Sequence, residues 1–133
     1  MEVLALPSVV AIRGSVSDNI VHRHHALQIV LGLEGKFKLL VDNNALTAFA
    51  AAVAPDAVHR LDALECLLIL LEPESHLAVD ICKRRLTGNN VVDLTHVIPE
   101  KTYRAIKSAS LTKDTLTGLF SVISPIDCFR KHI

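Results

Sequence analysis

His22, His24 and His59 are the residues here with the clearest chemistry, because three imidazoles brought within reach of one another make a metal site. The first two stand one residue apart, and three residues separate His24 from Gln28. Neutral imidazole suits zinc, nickel, copper and iron, with Gln28 or water filling out the sphere. A carboxylate at position 28 would favour harder ions and an oxygenase-type arrangement, whereas an amide brings no compensating charge. The set therefore argues against a tightly held catalytic iron or manganese and leaves zinc or nickel as the candidate ion. The same groups have a second use. His22, His24, Gln28, Val30 and His59 can line a pocket for a small organic molecule, the polar ones fixing its orientation and aliphatic walls supplying affinity. Spacing alone leaves both readings open.

Such residues need an element that turns them the same way. Residues 20–35, I-V-H-R-H-H-A-L-Q-I-V-L-G-L-E-G, alternate and are rich in β-branched and long apolar side chains, which predicts one long strand ending at Gly35. Successive side chains of a strand point to opposite faces. One face carries His22, His24, Ala26, Gln28, Val30 and Gly32, small and polar enough to wall a hollow. The other carries Arg23, His25, Leu27, Ile29, Leu31 and Leu33, an apolar surface that a second layer or a partner must cover. His25 is thus expected at the surface. The sequence places no further ligand type at a useful spacing from His76 or His96, and Cys66 reads as core.

Other chemistries lack their parts. There is no Gly-x-Ser-x-Gly elbow, no glycine loop leading into a helix to cradle phosphate, and no carboxylate pair in the histidine stretch. Fourteen basic and fourteen acidic residues cancel, without the basic stripe that binding to nucleic acid needs, so direct binding to nucleic acid is not expected. Cys66, Cys82 and Cys128 fit neither a zinc pattern nor a disulfide framework and read as reduced thiols of a cytoplasmic protein. No apolar run approaches the roughly 18–20 residues of a membrane span, so no membrane association is expected.

The 133 residues suit one domain in two parts. Residues 1–72 predict about eight short strands. They comprise runs at 3–6 and 9–13, a turn at 14–19, the long strand, a strand at 36–41 and a turn at Asp42-Asn43-Asn44. Two short strands over 45–53, a turn at 55–57 and strands from His59 and over 65–71 complete the set. This is a barrel or sandwich pattern. After Pro73 the period changes to that of helices: one over 74–86, one from Pro99 through Tyr103 and Ile106, and one from about Thr112. The last carries an apolar stripe of Leu116, Leu119, Phe120 and Ile123 and ends at Pro125; residues 129–133 are expected to be loosely held. The fold class is mainly β with C-terminal helices.

H-R-H-H-A-L-Q-I-V-L-G-L-E-G, followed by V-A-P-D-A-V-H-R-L and L-L-I-L-L-E-P-E-S, resembles the N-terminal cupin domain of AraC-type transcription regulators over residues 9–75. His22, His24, Gln28 and Gly35 reproduce the intervals of the first cupin motif, and Pro55 and His59 suit the second. The second motif's glycine is replaced by Asp56 or Ala57. The resemblance implies a double-stranded β-helix, or jelly-roll barrel, over 1–72, with a helical extension of two or three helices over 73–133. It covers the sensor half alone, since the helices after Pro73 lack the length and basic character of the DNA-binding module. The chain is then either a stand-alone sensor or part of a longer regulator.

The expected function is that of a sensor-type, regulatory cupin. It would bind a small organic ligand inside the barrel through His22, His24, Gln28, Val30 and His59 and signal through its C-terminal helices. The alternative is a small metal-dependent enzyme of isomerase or dioxygenase type using His22, His24 and His59. Pairing into a homodimer through the C-terminal helices is also expected, as the resemblance implies.

Overall fold

A computed structural model describes residues 1–18 and 22–125. Eight strands form one antiparallel sheet that folds over on itself: β1 (Glu2–Leu6), β2 (Val9–Ser17), β3 (Leu27–Gly32), β4 (Phe37–Val41), β5 (Asn44–Ala48), β6 (Ala50–Val53), β7 (His59–Leu71) and β8 (Val91–Asp93). The order is β1-β2-β7-β3-β6-β8, with β4 pairing β5 and β7. Three helices follow the first seven strands: α1 (His76–Ile81), continued by a π-helical turn at Cys82–Leu86, α2 (Glu100–Ser108) and α3 (Lys113–Ile123). The expected barrel followed by helices is what forms.

β7 holds the architecture together. Its first residues, His59 to Asp62, pair with β4; its last, Cys66 to Leu71, pair with β3; β2 runs along its other edge. Between Gly14↔Cys66 and Val16↔Ala63, β7 takes three steps where β2 takes two, a β-bulge. The extra residue reverses which face each side chain takes. Leu61 and Ala63 point into the barrel, whereas Leu67, Ile69 and Leu71 point to the helices and Cys66 and Leu68 into the barrel. The sequence reading placed two strands here because the alternation breaks in the middle; one bulged strand does the same.

Two apolar clusters result. Inside the barrel lie Val30, Phe37, Leu39, Val41, Ala51, Leu61 and Cys66 with their neighbours. On the far side of the sheet, Leu27, Ile29, Leu31 and Leu33 pack with Ile81, Ile106, Leu116, Leu119, Phe120 and Ile123 of the helices. The apolar face of the expected long strand is therefore covered by the chain's own helices, and the stripe of α3 is used in doing so.

Several expectations need correction. The long strand is shorter than residues 20–35: regular pairing begins only at Leu27. Before it, His22 makes a single bridge to His59, and the His24 carbonyl accepts from the Asp56 N–H, so this polar stretch bonds to the 56–59 turn instead of a ladder. The segment read as a turn at 14–19 is largely strand, since β2 continues to Ser17 through the bulge. Seven strands, not eight, precede Pro73, and the eighth comes later, where β8 pairs with β6. The Asp42-Asn43 turn is as expected, both residues taking positive φ (49° and 66°). Helix starts follow their caps: the Ser75 hydroxyl accepts from the Ala78 N–H and that of Thr112 from the Thr115 N–H. The expectation for residues 129–133 falls outside the described residues. No described helix is long and apolar enough to cross a membrane.

Candidate functional site

The bridge between His22 and His59 is made by two backbone hydrogen bonds, 2.9 and 2.7 Å, and it brings their rings close together at an interplanar angle of 59°. His24 joins them from the same loop. Ring centroids are 4.6 Å apart for His22 and His59, 4.8 Å for His24 and His59 and 5.8 Å for His22 and His24. One ring nitrogen from each lies within 4.8 Å of the others. The three histidines singled out in the sequence are thus brought together in space.

His59 and His24 each have one ring nitrogen occupied and one left over. His59 Nδ1 donates to the Ala57 carbonyl at 2.9 Å, and His24 Nε2 donates to Gln28 Oε1 at 2.8 Å. These bonds place the protons there, so His59 Nε2 and His24 Nδ1 carry the lone pairs. Both are buried, and among the described residues they are the only buried side-chain nitrogens or oxygens without a hydrogen-bond partner. Such orphans cost on the order of 1–3 kcal/mol each, unless something binds them. Burial is the main force holding the His59 pKa below 6.5; the neighbouring imidazoles add to it, and the Ala57 carbonyl opposes it. His59 is therefore neutral at physiological pH, as a metal ligand must be.

Gln28, expected to line the pocket or, in place of water, to fill out the metal sphere, is buried, and its carbonyl accepts from His24 and orients that ring. Val30, expected in the pocket wall, is fully buried in the barrel cluster. His25 is exposed as expected, between Asp56 at 3.4 Å and Glu74 at 3.5 Å, and its pKa is raised first by the hydrogen bond to Asp56 and then by that to Glu74. His96 is exposed, and His76 begins α1. The Cys66 thiol is buried in the barrel cluster and pushed up to about 11 by that burial.

Two further contributors emerge, of which Asp18 was not found from sequence and Asp56 was noted there only as one candidate for the motif's glycine position. Asp18 stands 3.8 Å from His22 Nδ1, held there by the Leu61 N–H at 2.8 Å. Asp56 takes φ of 64°, the left-handed conformation that the motif's missing glycine would supply, and its N–H fixes the loop at the His24 carbonyl. The four-residue step from Asp18 to His22 was visible, but only the fold shows that both flank β7.

No protein-family model and no curated protein matches this sequence. Among solved structures, apo ToxT from Vibrio cholerae, in a variant form, aligns with 89% of this chain and 54% of its own at a TM-score of 0.52 and 12% identity. An alignment of that extent takes in the helices as well as the barrel. The fold is that of a cupin. It resembles the N-terminal domain of AraC-type regulators in pairing the cupin barrel with a helical layer, as expected. A cupin protein from Bacteroides fragilis matches 50% of the chain and 66% of its own at 20% identity and a TM-score of 0.42. An RmlC-like cupin from Shewanella frigidimarina matches the same shares at 23% identity and a TM-score of 0.36. The chain thus spans about half the length of ToxT and 66% of the two cupins.

The donor set fits a borderline divalent ion. Three imidazole nitrogens with a fourth position free is the pattern of zinc sites that bind a further molecule. The three nitrogens, within 4.8 Å of one another, would have to draw closer to hold one ion, which side-chain rotation at the partly exposed His22 and His24 can supply.

Proposed function

We propose that this chain is a small-molecule-binding cupin of the sensor type. Its binding centre would be a zinc or nickel ion held by His22, His24 and His59 at the barrel mouth. The observation that carries the reading is the pair of buried lone pairs on His24 Nδ1 and His59 Nε2, each on a ring whose other nitrogen is already fixed by an acceptor. When bound, the ion supplies an open coordination position for an oxygen or nitrogen donor of the ligand. Ala57 and Gln28 hold the two rings in the ligating tautomer. The packed interior around Phe37, Leu39 and Leu61 supports a ligand seated at the mouth over one sunk deep in the barrel.

Helices packed directly on the back of β3 give the site a mechanical neighbour through which occupancy can be passed on. A homodimer through these helices would have to use their outer faces, because the α3 stripe is engaged within the chain. A cytoplasmic setting belongs to the same reading, supported by the free thiols of Cys66 and Cys82.

The test is metal binding by the purified protein. One zinc or nickel per chain is expected after loading and dialysis, lost in His24→Ala and His59→Ala variants that still melt cooperatively. A protein that takes up no metal, yet melts higher with an organic ligand, would replace the ion by a purely organic site. The second reading, a metal-dependent isomerase or dioxygenase, draws on the three-nitrogen set with its free position. It predicts turnover that disappears with the metal. Against it, Gln28 supplies no carboxylate, and Asp18 Oδ2 is engaged by the Leu61 N–H.

A further inference from the structure

A second cleft lies away from the histidines, where the end of β5 and start of β6 meet the N-terminal half of α2. It has a volume of about 290 Å³ and is lined by Phe49, Ala50, Thr95, Ile98, Glu100 and Tyr103. That is at the small end of ligand pockets, room for a ring and a short chain. Phe49 and Tyr103 meet edge to face, with centroids 6.2 Å apart. In a chain with four phenylalanines and one tyrosine, two of the five rings stand here.

The polar groups of the cleft sort by charge. Glu100 is the one charged lining residue. Tyr103 donates its hydroxyl proton to the Gly32 carbonyl, which leaves the phenolic oxygen as an acceptor. The Thr95 hydroxyl already accepts from the Phe49 N–H at 3.3 Å. A carboxylate, a phenolic oxygen and aromatic faces all favour positive charge. One cation is already there: the Lys36 ammonium lies 5.5 Å from the centre of the Phe49 ring. Glu100 pairs with Arg104 at 2.6 Å, but both side chains are about three-quarters exposed (76% and 73%), so the pair exchanges readily with water or another cation.

We propose that this cleft binds a small organic cation with an apolar or aromatic body, its ammonium against Glu100 and the Phe49 ring, displacing Lys36. The site is independent of the histidine cluster and of any metal there. Because Tyr103 also bonds Gly32 of β3, the ligand would press on the contact that seats α2 on the barrel.

The experiment follows Phe49 and Tyr103 ring signals by NMR in the full chain during titration with three probes of similar size: benzyltrimethylammonium, neutral 2-phenylethanol and anionic 3-phenylpropionate. The cation should bind at least about fivefold more tightly than either of the others. Phe49→Leu and Glu100→Gln should each weaken it by a similar factor, Lys36→Gln should leave it equal or tighter, and His59→Ala should not change it. Glu100 is exposed, so its variant keeps the fold and serves as the decisive one if Phe49→Leu unfolds. Preference for the anion or the neutral probe, no shift with any of the three, or a cation affinity untouched by Glu100→Gln would overturn the proposal.

Discussion

At the scale of single residues, the site depends on groups that touch no ion. Gln28 accepts from His24 Nε2–H, and without it the ring is free to turn its lone pair away. Gln28→Leu should therefore lower zinc affinity by roughly 10- to 100-fold, measured by competition with a chromophoric chelator, while the fold persists. Two histidines titrate in opposite directions in the metal-free protein. The pKa of His59 lies below 6.5 through burial and that of His25 above 6.5 through its bond to Asp56, and Asp56→Asn should bring His25 back down in an NMR titration. The signs for stability follow. A lowered histidine contributes stability that is present above 6.5 and lost as pH falls through its folded value; a raised one contributes below 6.5 and loses it as pH rises through its folded value. His25 is exposed and its ion pairs are screened by solvent, so the His59 trend dominates, and urea midpoints of the metal-free protein should fall below pH 6.5. His22 and His24 were legible because their spacing survives folding, and His59 through the resemblance to the second cupin motif. The carbonyl of Ala57 was not, since a backbone group has no letter of its own.

At the scale of elements, α2 is fastened to the barrel at both ends. Near its start Tyr103 bonds the Gly32 carbonyl; at its end Arg13 of β2 donates to the carbonyls of Ile106, Lys107 and Ala109 at 3.3, 2.7 and 2.7 Å. These are the acceptors a helix C-terminus leaves unpaired, and a cation suits them. Arg13→Met keeps the side chain's apolar stem and should cost about 1.5–3 kcal/mol in urea denaturation. Gly32 tolerates no side chain: an added Cβ would come 2.2 Å from the Gly35 carbonyl oxygen. Gly32→Ala should cost about 1–3 kcal/mol by displacing that turn. Helix ends were readable from Ser75, Pro99 and Thr112 because capping is local. The true start of β3 was not, since alternation in the sequence continues through His22 and His24 although the ladder does not.

At the scale of the whole molecule, one sheet divides two interiors of different character. The face towards the helices holds the bulkier aliphatic cluster, and Leu119 lies wholly within it. Leu119→Ala should cost about 2–5 kcal/mol and lower the melting temperature without changing which residues bind metal. Barrel and helical layer were both legible, because the period of the apolar residues changes from two to that of a helix at Pro73. What sequence could not assign was the partner of each apolar face. Leu27, Ile29 and Leu31 share one apolar cluster with residues of α3 more than eighty positions away, and only the closed fold brings them together.

The bulge in β7 makes chain length itself a determinant of the site. Leu64 within it is largely exposed (72%), so Leu64→Ser should be almost silent. Excising the same residue is another matter. With residues 66–71 kept in register against β3, the shortened strand would carry every earlier side chain half a turn round. His59 would then look into solvent and Arg60 into the barrel. A spacer whose identity is immaterial thus keeps the triad intact, and tolerance to exchange coupled with intolerance to loss at position 64 would reveal it in a scan of single-residue deletions.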